Sequence, residues 1–69
     1  MPPVYSFAWL CQSMQQRQIV TIQLHSGKTI SGIINGLSVE DGSGRHWLVN
    51  LLIFTSMNNE EHSYYVRAE

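Results

Sequence analysis

The spacing of apolar residues divides the chain into two parts. In the first, Val4, Phe7, Ala8, Cys11 and Met14 recur at the i, i+3, i+4, i+7 intervals of one helix face. Pro2 and Pro3 suit a helix entry, where a missing N–H costs nothing. Tyr5 and Trp9 form a second stripe beside the first, and the run from Gln12 to Gln18 is mostly polar. The pattern predicts a short N-terminal helix within residues 1–17. Its apolar arc is wider than one small core needs. Two readings follow, a helix buried in its own domain or a helix facing another chain.

From Ile19 the period becomes two. Val20, Ile22 and Leu24 alternate with Thr21, Gln23 and His25, the signature of a half-buried strand, and His25-Ser26-Gly27-Lys28 supplies a tight turn. The next predicted strand, Thr29 to Val39, carries Gly32 and Gly36. Ile30 and Ile34 have one parity, whereas Ile33, Leu37 and Val39 have the other. Glycine inside a strand marks a bend, a bulge or a close approach, and a bent strand delivers both parities to one curved core. Glu40 to Gly44 reads as a loop. Trp47 to Phe54 is almost continuously apolar and predicts a central strand covered on both sides. A second loop, Thr55 to Glu61, precedes a last strand from Ser63 to Ala68. The expected architecture is mainly β and a single domain over residues 1–69. A short N-terminal helix precedes a small bent antiparallel barrel of four to five strands, residues 18–69.

Composition changes the picture in three ways. A chain of 69 residues that is 43% apolar and only 13% charged is neither a disordered tail nor a charged linker. So small a domain buries too little surface to be robust alone, which favours association with copies of itself. The formal charge of -1 excludes a basic field over the whole molecule, leaving only local patches for a polyanion. The single cysteine, Cys11, excludes an internal disulfide or a multi-cysteine zinc site. The apolar N-terminal run lacks a preceding cation and is too short to span a bilayer, so a soluble, cytoplasmic protein is expected.

The stretch Ile22, Leu24, Gly27, Ile30, Gly32, Ile34 and Gly36, placed after an N-terminal helix, resembles the first motif of the Sm-like (Lsm and Hfq-type) RNA-binding family. Tyr65-Val66-Arg67-Ala68 is similar to the opening of its second motif. The resemblance implies an SH3-like barrel that forms homo-oligomers and binds RNA. Gly36 is followed by Leu37 and Ser38, without the family's Asp, and Arg67 by Ala68 instead of Gly. The family's fifth strand would begin where this sequence stops. Four strands alone must then close differently or leave an exposed edge.

Residue chemistry points to binding and away from catalysis. His25, His46 and His62 have no ligand spacing in common, and neither Ser26 nor Ser43 sits in a nucleophile elbow. No metal, cofactor or catalytic group is expected, and no membrane partner. Arg45, His46 and Trp47 combine cations, a donor and a stacking face beside the glycines of one loop, with Lys28 and Arg67 as further phosphate contacts. The plainer alternative makes Trp47 the first core residue of its strand. Binding by so few scattered cations is weak and salt-sensitive. The candidate interface residues are Val4, Phe7, Trp9 and Cys11 of the helical segment, with Tyr65. Under this second reading the protein is an interaction or structural module. Asn50, inside the apolar run, requires a hydrogen-bond partner if buried.

Overall fold

A computed structural model describes residues 3–42 and 44–69. The expectations for Pro2 and Ser43 therefore fall outside the described residues. The element order is β1 (Val4–Tyr5), α1 (Phe7–Gln15), β2 (Ile19–Gln23), β3 (Thr29–Asp41), β4 (Trp47–Thr55) and β5 (Glu60–Ala68). The strands form one sheet in the order β1-β5-β4-β3-β2.

The N-terminal segment departs from expectation. Val4 and Tyr5 lie outside the helix and pair in parallel with Arg67 and Ala68. Ser6 is the reason. Its backbone stays extended (φ -69°, ψ 125°), outside the helical region, and its hydroxyl accepts the Trp9 N–H at 3.2 Å, capping the helix that starts at Phe7. The predicted helix is thus shortened to α1, and the sheet gains a parallel pair.

The end of α1 is a Schellman motif. Gln18 N–H donates to Ser13 O and Arg17 N–H to Met14 O, with Arg17 at φ 52° where glycine is usual.

The remaining strands are antiparallel, and β3 carries the bend. Between Ile34 and Gly36 the β3–β4 register shifts by one residue, leaving Asn35 as the extra one. This bulge reverses the inward parity. Ile30, Gly32 and Ile34 face the core before it, and Leu37 and Val39 stand opposite the buried Leu51 and Val49 after it. A second shift between Val39 and Asp41 carries β3 through Glu40 and Asp41, which the composition alone assigns to a loop. Likewise β5 begins at Glu60, because pairing with Thr55 extends the hairpin beyond its predicted bounds.

The core consists of Leu10, Val20, Ile22, Leu24, Ile34, Val49, Leu51, Ile53, Val66 and Ala68. Burial of each larger side chain contributes about 2 kcal/mol. Strand β4 is central, but only one of its faces is sealed. Val49, Leu51 and Ile53 are fully buried, whereas Leu48, Asn50 and Phe54 are half-buried and Leu52 is exposed. Asn50 finds partners on β5, donating to Ser63 Oγ and to Tyr64 O.

The sheet is not closed, and β1 and β2 are its edges. Two hydrogen bonds nonetheless bridge from β2 and its turn to the other side. His25 N–H donates to Tyr65 O at 2.9 Å, and Gln23 N–H donates to the Tyr5 hydroxyl at 2.7 Å. Among the described residues no helix is long and apolar enough to cross a membrane.

Candidate nucleic-acid interface

The loop entering β4 is built from flexible and polar residues. Gly44 adopts φ 79°, a left-handed conformation that suits glycine, and Arg45 beyond it is exposed. His46 is half-buried, with its Nε2 3.6 Å from Glu69 Oε2. Glu69 is held in turn by main-chain bonds. Its N–H donates to Tyr5 O, and its carbonyl accepts from Phe7 N–H. The histidine thus faces a carboxylate positioned by the β1–α1 junction.

Trp47 combines features of both sequence readings. It pairs with Ala68 in the ladder and has the inward parity of Val49 and Leu51. It lies at the rim of the core, packed edge-on against Phe7 (ring centroids 5.5 Å, interplanar angle 70°). The indole nevertheless remains 42% exposed. On the same junction Tyr5 and Trp9 stack at 5.7 Å and 18°. Offset and edge-on ring pairs of this kind rigidify an aromatic surface without consuming all of it.

The five sequence-selected binding residues do not form one surface. Arg45, His46 and Trp47 are contiguous at the start of β4. Arg67 stands opposite Leu48, so its side chain has the parity of the other sheet face. Lys28 lies in the turn before β3, whereas Leu48 pairs with Asp41 at the far end of that strand.

The interface candidates also divide. Phe7 packs against the core, Val4 is half-buried in β1, and Cys11 is half-buried on α1. Trp9 and Tyr65 remain exposed. Sequence reasoning missed Phe7 and Glu69 as neighbours of Trp47 and His46. Their proximity arises from the pairing of β1 with β5, for which a two-residue strand provides no periodic signal.

A concavity of about 580 Å³ lies away from the loop entering β4. Ile19 of β2, the first half of β3, the β4–β5 turn and Tyr64 of β5 line it, and no lining side chain is charged. Among the described residues no three His, Cys, Asp or Glu side chains are grouped as metal ligands.

Comparison with known proteins identifies no relative: no family model, curated protein or solved structure matches this chain.

Proposed function

We propose that this chain is a cytoplasmic, Sm-like small barrel that assembles as a homo-oligomer and binds RNA or single-stranded nucleic acid without catalysis. The observation that carries this reading is the half-open indole of Trp47, braced by Phe7 at the end of a glycine-bearing loop with Arg45 and His46 beside it. A rigid aromatic face accepts a base by stacking, and the adjacent cation neutralises its phosphate. The bend of β3 and the bond from His25 to Tyr65 support a barrel-like curvature. Lys28 and Arg67 would contact phosphates on neighbouring stretches of the strand, and repetition of the site across subunits would raise avidity.

Fluorescence anisotropy with a labelled single-stranded RNA tests the proposal. Binding should strengthen as salt is lowered, and Trp47→Ala should weaken it about tenfold. Absence of binding at low salt in a folded protein overturns the reading.

The second reading, an interaction module working through the N-terminal segment, is favoured by the exposure of Trp9 on its Tyr5 platform. Under that reading Trp9→Ser reduces the solution mass measured by light scattering and leaves the fold intact. An unchanged mass removes its support.

A further inference from the structure

The run from Trp47 to Phe54 has the composition of a strand covered on both faces, yet the fold seals only one of them. The β4–β5 ladder runs from Trp47–Ala68 to Thr55–Glu60 without a register shift, so its alternate residues make one continuous outer face. There β4 presents Leu48, Asn50, Leu52 and Phe54, the parity opposite to the buried Val49, Leu51 and Ile53. Beside them β5 presents Glu61, Ser63, Tyr65 and Arg67. Helix α1 sends Leu10 into the core on the inner side, and among the described residues no helix lies over the outer one.

The polar groups of this face are either satisfied or charged. Asn50 donates to Ser63 Oγ and to Tyr64 O, so covering it strands no amide hydrogen. Glu61 Oε2 accepts from Asn35 Nδ2 at 2.8 Å. Asn35 belongs to β3, so this bond spans β4 and holds the carboxylate over the outer face, at the Phe54 end. Arg67 stands at the other end, opposite Leu48, about 20 Å away along the strand. The ion pairs among the described residues are His46–Glu69 and His62–Glu60, so neither Glu61 nor Arg67 has an ionic partner. Asp41, in the row of Leu48 and Arg67, is engaged within its own chain.

Opposite charges at the two ends of one strand make the face complementary to itself. A two-fold axis lying between two such faces and crossing the strands reverses the ladder in the second copy. Glu61 of each chain then meets Arg67 of the other, Phe54 meets Leu48, and Leu52 and Tyr65 pack near the axis. An isologous contact makes each of these pairs twice. Packed sheets lie about 10 Å apart, a gap that a facing glutamate and arginine bridge together.

We propose that a second copy of this chain covers the outer face of the β4–β5 ladder, burying Leu48, Leu52, Phe54 and Tyr65 and closing two Glu61–Arg67 ion pairs. The contact rests on the self-association proposed above and gives it a surface. It engages Arg67, leaving phosphate to Arg45 and Lys28.

Sedimentation equilibrium of the whole chain tests the proposal. With rising concentration the wild type should approach twice the mass of one chain. Glu61→Arg and Arg67→Glu each turn two attractions into two repulsions and should weaken the dimer about tenfold. Mixed in equal amounts, the two folded variants should associate again, because every 61–67 contact between unlike chains is attractive. A role for either residue inside its own chain produces no such rescue. Leu52→Lys, at an exposed position beside Gly36, should leave a folded monomer, and it keeps the test valid if a charge variant unfolds. A wild type that stays monomeric or forms a larger assembly overturns the proposal. So do single variants of unchanged mass, or a mixture that fails to associate. A dimer that ignores RNA supports this contact and discards the nucleic-acid reading, whereas RNA binding by a monomer overturns the contact and keeps the Trp47 site.

Discussion

Gly32 lies directly beneath the carbonyl of Phe54, so closely that a Cβ built on the glycine would overlap that oxygen and lie 2.7 Å from Ile53 Cγ2. Neither the backbone of central β4 nor a fully buried isoleucine can withdraw cheaply. Gly32→Ala should therefore destabilise the fold by about 3 kcal/mol, the upper range for overpacking. At Gly36 the same Cβ would lie 3.1 Å from Leu52 Cδ1, the end of an exposed and flexible side chain. Gly36→Ala should cost less than about 1 kcal/mol. Urea denaturation of the two variants measures the contrast, and equal losses would contradict the role assigned to Gly32.

Ser13 is 2% exposed, and its hydroxyl finds no hydrogen-bond partner. Alanine removes that desolvated oxygen and is the better helix former. Ser13→Ala is expected to raise stability by about 0.5–1 kcal/mol, seen as a higher thermal midpoint. A lower midpoint would show that the hydroxyl is satisfied in solution.

The left-handed backbone of Arg17 predicts another gain. A residue with a Cβ pays roughly 1 kcal/mol in that conformation, and glycine does not. Arg17→Gly should stabilise α1 and the turn into β2 by about 0.5 kcal/mol after the extra unfolded-state entropy of glycine is subtracted. Helical circular dichroism and the urea midpoint should rise together.

The Tyr5 hydroxyl accepts the Gln23 N–H across the gap between the sheet's edges. Tyr5→Phe keeps the ring stacked on Trp9 but leaves that amide without its partner. A loss of about 1 kcal/mol is expected, with faster hydrogen exchange at Gln23. Unchanged exchange there would mean that water replaces the hydroxyl without loss.

Much of the sheet was legible because its signals are local. The alternation of Val20, Ile22 and Leu24 with polar residues placed β2 correctly, and both parities of β3 pointed to a bend near its glycines. The structure locates the parity reversal at Asn35, where the extra residue sits. The N-terminal strand was not legible. Val4 fits a helical stripe as well as a strand, and its strand partner is Arg67, at the other end of the sequence. The binding loop was visible in composition, but the grouping of Trp47 with Phe7 and of His46 with Glu69 depends on that same distant pairing. The groove at Ile19 escaped notice because its lining comes from four strands and a turn, and alternation within one strand does not show which distant residues it will meet.

The union of Val4 with Arg67 has a kinetic corollary. Its two residues are separated by nearly the entire sequence, so forming it requires the largest loop closure in the molecule in return for a two-residue ladder. The β2–β3, β3–β4 and β4–β5 hairpins can zip from their turns beforehand. The segment carrying Tyr5 should therefore dock last during folding and peel away first under mild denaturant, releasing the brace behind Trp47 while the central hairpins remain intact.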